Sequence, residues 1–208
     1  MIVAITGTPG VGKTSVCSHL RELGFQVIDI NKLVSERFHK GFDNKRKCFV
    51  ADLRKLRKHV KRIHKSVCAA KEKQGYNSRQ QHEGILLLDS HISHLLHPDV
   101  AIVLRANPLV LAERLRRKGF EEQKIKENVQ AETLDVILVE AVERCKFVYE
   151  IDTTGKSVEA VAECVREILS ALREHTEERR KEMLAKYKVG SVDWSEYVED
   201  VFAHCDDC

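Results

Sequence analysis

The run Gly7-Thr8-Pro9-Gly10-Val11-Gly12-Lys13-Thr14 constrains this chain more than any other feature. It fits G-x-x-x-x-G-K-[ST], and it lies straight after the apolar run Ile2–Thr6 and straight before an amphipathic pattern that starts at Lys13. In that context it reads as a phosphate-binding loop: a strand ends, glycines let the backbone wrap an anion with its N–H groups, and a helix begins with its positive dipole end facing the same anion. Gly10 and Gly12 permit the wrap, Lys13 reaches the outer phosphates, and the Thr14 hydroxyl is placed to ligate Mg²⁺.

Such a loop needs a parallel sheet behind it. Four further apolar runs, at residues 26–30, 85–89, 101–105 and 147–152, supply the strands. Each is apolar on both parities, as in strands covered on two faces, and helical patterns separate most of them. The expected fold is α/β: a P-loop NTPase with three α/β/α layers around a five-stranded parallel sheet. Helices are expected over residues 13–23, 31–39, 50–73, 109–118, 121–146 and 158–188, and from Asp193 towards His204. Asn107-Pro108 and Asp193 read as helix starts. At 208 residues the natural division is one domain over 1–190 and a helical tail over 191–208.

The apolar stretches are strand-sized, far short of the ~20 residues of a membrane helix, so no bilayer span is expected. The N-terminus runs directly into the first strand without a basic, signal-like start, and the seven cysteines form an odd, scattered set. Both point to reduced thiols in the cytoplasm. Cys205 and Cys208 have C-x-x-C spacing but cannot fill four zinc positions, and the spacing is read as incidental. The net charge of +3 hides an uneven distribution: Lys45–Lys73 carries twelve Lys or Arg against two acids, and residues 150–208 carry fifteen acids against eight Lys or Arg. The basic run is either a solvated helix face or an anion surface for phosphate or RNA.

A P-loop protein also needs an acid at the end of a neighbouring strand to hold Mg²⁺ through water. Asp89 closes the run Ile85-Leu86-Leu87-Leu88, and His91 follows it, an Asp-x-His where ligands bind in an open parallel sheet. His91 reads as a residue orienting water or phosphate. His94 and His97 continue at helical spacing, but a metal cluster is set aside because the P-loop already accounts for the site and Mg²⁺ prefers oxygen. Asp152-Thr153-Thr154-Gly155 imitates a GTPase D-x-x-G, yet it follows the last strand, and no guanine-reading Asn-Lys-x-Asp is present. Arg114, Arg117 and Lys118 share one helical face before Gly119 and offer cations for a migrating phosphoryl group under a short lid. Hydrophobic Trp194, Tyr197, Val198, Val201 and Phe202 at helical spacing read as a tail docked on the body.

Taken together, the loop with Ser15, the Leu88-Asp89-Ser90-His91 strand end, Val103-Leu104-Arg105, Leu111 to Phe120, and Lys126-Glu127-Asn128-Val129-Gln130-Ala131-Glu132 resemble the adenylate kinase 6 family, from residue 1 to about 156. That resemblance implies a nucleoside-monophosphate-kinase type of P-loop fold with adenylate kinase and ATPase activities. It also implies a role in small ribosomal subunit maturation, with a small-subunit platform ribosomal protein of the S11 type as partner. By position it implies ATP held by Gly10, Gly12, Lys13, Thr14 and Ser15, with the adenine side closed by Lys118 and Lys156. AMP, the acceptor, would lie against residues 29–51, and the lid would span about 117–127. Two positions depart from the family pattern: Lys118 stands where Arg is common, and Ser35 where some relatives carry Arg, with Arg37 the nearest substitute. Besides an adenylate kinase, the residues leave open an ATP-driven assembly switch and a kinase for another acceptor. In either of the first two, Lys45–Lys73 would suit contact with rRNA.

Overall fold

The computed structural model describes residues 1–44, 46–73 and 84–203. In chain order its elements are β1 (Ile2–Thr6), α1 (Lys13–Glu22), β2 (Gln26–Asp29), α2 (Ile30–Glu36), the antiparallel hairpin of β3 (His39–Asp43) and β4 (Cys48–Ala51), and α3 (Leu53–Lys73). Then come β5 (Leu86–Asp89), β6 (Val100–Arg105), α4 (Pro108–Arg117), α5 (Glu122–Thr133), α6 (Val136–Arg144), β7 (Phe147–Asp152), α7 (Val158–Ala171), α8 (Glu177–Leu184) and α9 (Val198–Phe202).

The expected five-stranded parallel sheet is present, in the order β2-β5-β1-β6-β7. Central β1 is wholly buried, and its residues alternate between layers. Val3 and Ile5 pack with Val16 and Leu20 of α1, Leu111 and Leu115 of α4, and Val165 and Ile168 of α7. Ile2 faces the other way, with Ile30 and Val34 of α2 and Leu56 and Val60 of α3. Ala4, on that same side, meets Leu138 and Ala141 of α6. Strands leave β1 on both sides, which opens the ligand crevice at its carboxyl end, where the glycine-rich loop begins. No helix among the described residues is long and apolar enough to cross a membrane.

Five helices differ from expectation: the one expected over 31–39 ends at Glu36, with His39 opening β3, and the other four differ for local reasons. Residues 48–51 form β4, so α3 starts at Leu53, where Asp52 Oδ1 accepts the Lys55 amide at 3.1 Å. The helix expected over 121–146 breaks at Asp135, whose φ of +56° lets its carboxylate meet the guanidinium of Arg105. The helix expected over 158–188 breaks after Ala171. There Glu174 Oε1 accepts the amides of His175 (3.0 Å) and Thr176 (3.3 Å) ahead of α8. In the tail, Asp193 Oδ1 accepts the Ser195 amide at 2.8 Å and opens a single 3₁₀ turn before α9. The helix start at Asn107 is as expected: its Oδ1 caps the amides of Leu109 and Val110, with Pro108 at the first position. Cys205 and Cys208 fall outside the described residues, as does Lys45 at the head of the basic run.

Candidate functional site

The loop after β1 is shaped by its neighbours. Gly7 has φ +130°, and a Cβ there would lie 2.2 Å from the Leu104 carbonyl on β6. At Gly10 (φ +101°) a Cβ would meet Leu111 at 2.7 Å and Leu115 at 2.9 Å on α4. Both positions therefore require glycine, and the loop is pressed against the sheet and α4.

Lys13 opens α1 and is buried. Its ammonium donates to the carbonyls of Gly7 (2.8 Å) and Thr8 (2.9 Å), which uses two of three donors. Burial pushes its pKa down to about 8, against the opposing pull of Asp89 and Glu132. Asp89 ends β5, in register with Ile5 of β1 and Asp29 of β2. Burial raises its pKa, while the Thr14 hydroxyl bond and Lys13 pull it down. Asp89 Oδ1 is buried without a hydrogen-bond partner. A carboxylate with an unsatisfied oxygen beside a threonine hydroxyl is an all-oxygen donor set, which suits a hard divalent cation.

Two cavities meet at the loop. One, of about 160 Å³, is lined by Pro9, Gly10, Gly12, Lys13, Thr14, Ser15, Asn31, His91 and Lys118. The other, of about 340 Å³, shares Gly10, Gly12, Ser15 and Lys118 with the first and adds Arg114, Arg117 and Lys156 among valines of α1 and α7. The result is a polar pocket continuous with a larger groove that has apolar walls and a cationic rim. His91 stands at the mouth of the small cavity, open to solvent on one side and packed by the chain on the other. Desolvation by the surrounding chain, then Lys13 and His94, hold its pKa below the usual imidazole value, so it is neutral at pH 7. Deeper in the fold, His94 bridges Thr6 Oγ1 (2.9 Å) and Glu140 (3.0 Å), and His97 stands apart in a left-handed turn.

The residues expected at the site are thus brought around one groove, with differing freedom. Arg114 is tied to the Thr153 hydroxyl and carbonyl, both at 3.0 Å, and fastens α4 to the loop after β7. Arg117 is exposed and paired with Glu113, and Lys156 donates to the Asp152 carbonyl at 2.6 Å. Lys118, just past α4, lines both cavities. Arg37 does not line either cavity; it caps α2 and lies near His59 of α3. Asn31 takes a place there that the sequence did not announce, and its Oδ1 accepts the Ser90 hydroxyl at 2.8 Å. Glu132 of α5, in the sequence only part of the resembling run and with no role there, is 2% exposed and accepts the Thr8 hydroxyl at 2.5 Å and Arg105 Nε at 2.8 Å.

A family model described as an AAA domain matches residues 3–135. A protein of Archaeoglobus fulgidus is 42% identical over 200 residues, covering 96% of this chain and 95% of its own. One from Methanocaldococcus jannaschii is 40% identical over 198 residues, covering 94% of each. Both bear the name "Putative adenylate kinase". The chain belongs to their family. Among solved structures, deoxyadenosine kinase from M. mycoides overlaps 83% of this chain and 100% of its own at 17% identity, with a TM-score of 0.48. Shikimate kinase from Bacteroides thetaiotaomicron overlaps 82% and 98% at 16% identity, with a TM-score of 0.47.

Proposed function

We propose that this chain is an adenylate kinase of the adenylate kinase 6 type, transferring the γ-phosphoryl group of ATP to AMP, with ATPase activity when the acceptor is water. The observation that carries this reading is the continuity of the loop pocket with the cation-rimmed groove, which matches a triphosphate joined to a nucleoside. In this reading ATP lies along Gly10, Gly12, Lys13, Thr14 and Ser15, with its base towards Lys118 and Lys156. Residues 29–51, comprising α2 and the hairpin, border the monophosphate, and the α4–α5 turn within 117–127 is the lid. Thr14 and Asp89, the latter through water, would hold Mg²⁺, which would neutralise charge on the phosphates.

The chain's own groups then do the following. Lys13 turns its remaining donor, and on rearrangement all three, to the phosphate oxygens, where an opposing charge restores the full ammonium. Arg117 and Lys118 supply positive charge to the moving group from the exposed end of α4, Arg117 by exchanging Glu113 for phosphate. Arg114, fixed on Thr153, holds the groove's shape and gives a long-range cation. Neutral His91 accepts or donates a hydrogen bond to water or acceptor at the pocket mouth. Glu121 at the turn pairs with Lys47 of the hairpin at 2.8 Å, so the lid and the acceptor side touch across the groove.

One observation favours a second emphasis, an ATP-driven assembly switch. α2 carries no arginine, and Arg37 at its C-cap does not line the small cavity, so the acceptor pocket is the less furnished side. The exposed cations of α3 would suit contact with small-subunit rRNA, alongside a small-subunit platform ribosomal protein of the S11 type. Purified protein with Mg·ATP, with and without AMP, tests the reading when ADP and inorganic phosphate are scored separately. Two ADP per ATP with no phosphate establishes the kinase. Phosphate release indifferent to AMP overturns it in favour of the switch.

A further inference from the structure

The segment after Tyr187 ends on buried charge. Glu150 of β7, 1% exposed, accepts two tail amides, Gly190 at 2.9 Å and Val192 at 3.2 Å. Two residues on, Trp194 Nε1 donates to Glu132 Oε1 at 3.3 Å, and Val201 of α9 packs on the main core. Glu132 is the same carboxylate that accepts the Thr8 hydroxyl with its other oxygen. Thr8 in turn gives its carbonyl to Lys13. A continuous path therefore runs from the tail indole through Glu132 and the phosphate loop to the ammonium.

Charge explains why the tail belongs there. Among the described residues Arg105, 1% exposed, is the one cation in ion-pair contact with Glu132, Asp135 and Glu150, with the Lys13 ammonium adding its field at Glu132. One guanidinium against three carboxylates leaves an excess of negative charge, and buried carboxylates need donors. The tail brings three N–H groups, from Gly190, Val192 and Trp194, to two of them. Glu132 Oε1 also accepts Arg105 Nε (2.8 Å) and the Ala106 amide (3.0 Å), so the indole is its third donor; losing it loosens the carboxylate's orientation, and with it the oxygen that serves Thr8.

We propose that Glu132 is a positioning residue for the phosphate loop and that Trp194 clips it in place, so that tail docking sets the loop's affinity for nucleotide phosphate. The nucleotide part rests on the function proposed above; the coupling of tail to loop does not. Trp194 lines neither of the two loop cavities described above, and it reaches the loop through Glu132.

The test uses the full chain and Trp194→Phe, which keeps an aromatic ring and removes the N–H, with Glu132→Gln as a second variant. Tyr197→Phe, a change in the same tail beside the indole (ring centroids 6.2 Å apart), is the control. Hydrogen–deuterium exchange without nucleotide is expected to quicken at residues 7–14 in Trp194→Phe and Glu132→Gln, and to match wild type in Tyr197→Phe. With Mg·ATP, KM for ATP is expected to rise about 5- to 10-fold in Trp194→Phe with kcat within twofold, the low end of ordinary coupling between sites. A merely structural role would instead lower the active fraction and leave KM alone. Coupling is reciprocal, so in wild type Mg·ATP should shift the emission of Trp194, the chain's one tryptophan, and slow exchange at residues 190–192. Loop exchange in Trp194→Phe identical to wild type overturns the clip. If the loop responds to Trp194 while calorimetry finds no ATP binding to wild type, the clip stands and the nucleotide reading falls.

Discussion

Lys13 and Asp89 are each buried in the form that burial disfavours, and the consequence can be measured without any substrate. Lys13 has its pKa lowered from 10.5 to about 8 by desolvation. Below pH 8 it is charged in both folded and unfolded chains, and the cost of burying the charge is constant. Between about 8 and 10.5 the unfolded chain binds the extra proton, so stability rises with pH. Wild type should therefore gain on Lys13→Met as pH climbs through that window, by up to about 3 kcal/mol, in urea unfolding of the two proteins at both ends. A constant difference would show the ammonium to be better solvated than its place implies. Asp89 carries the opposite sign: its raised pKa gives stability that is present below the carboxylate's ordinary pKa and lost as pH rises through the folded value. Asp89→Asn removes that penalty and should raise the melting temperature at pH 7 while abolishing phosphoryl transfer. A variant that loses both stability and activity would argue that Asp89 holds the fold together rather than the reaction. These two residues were legible in the sequence because motif and strand end announce them. The role of Glu132 was not: in the sequence it is only the end of a run that carries the resemblance, and its contacts appear when α5 crosses the loop and Arg105 from another strand.

The same contrast holds for elements. All five parallel strands could be read: β1, β5 and β6 are buried on both faces and wholly apolar but for their ends, and the edge strands β2 and β7 keep enough apolar residues to show. The break between α5 and α6 could not, because Leu134 and Val136 continue the apolar periodicity straight through Asp135. What ends α5 is tertiary: Asp135 adopts φ +56° so that its carboxylate can answer Arg105. The hairpin was missed for a related reason, since its Phe42 and Phe49 are exposed and pack edge to face on each other (5.1 Å) rather than on the core. Two contributions at Asp135 can be separated by substitution. Asp135→Ala loses the ion pair and forces a Cβ residue without side-chain compensation into the left-handed region; Asp135→Gly loses only the pair. Both should destabilise, the glycine variant by about 1 kcal/mol less, as read from denaturant midpoints. Equal losses would assign the whole effect to charge.

At the scale of the molecule the dominant feature is the separation of charge, and it decides between a solvated helix and a binding face. Helix α3 buries Leu56 and Val60 against the sheet and sends Arg57 to the Leu95 carbonyl (2.7 Å). Its outer side carries exposed Arg54, Lys55, Lys58, Lys61, Arg62 and Lys65, and among the described residues Lys55 alone of the six is in an ion pair, 3.5 Å from Asp52. Cations aligned along a rigid helix repel one another, a cost that contact with a phosphate backbone would relieve. If the face binds rRNA, affinity must fall steeply with salt, because each phosphate neutralised releases condensed counterions. Replacing Lys58, Lys61 and Lys65 together by Gln should flatten the slope of log K against log salt by about 2 for single-stranded RNA, between about 50 and 200 mM. The same triple variant should hydrolyse ATP at the wild-type rate, since none of the three lines the groove. Anisotropy with a labelled small-subunit rRNA fragment reads the slope, and a phosphate assay reads the rate. A slope that the substitutions leave unchanged would return α3 to the role of a solvated face and leave the loop end of the sheet as the chain's binding surface.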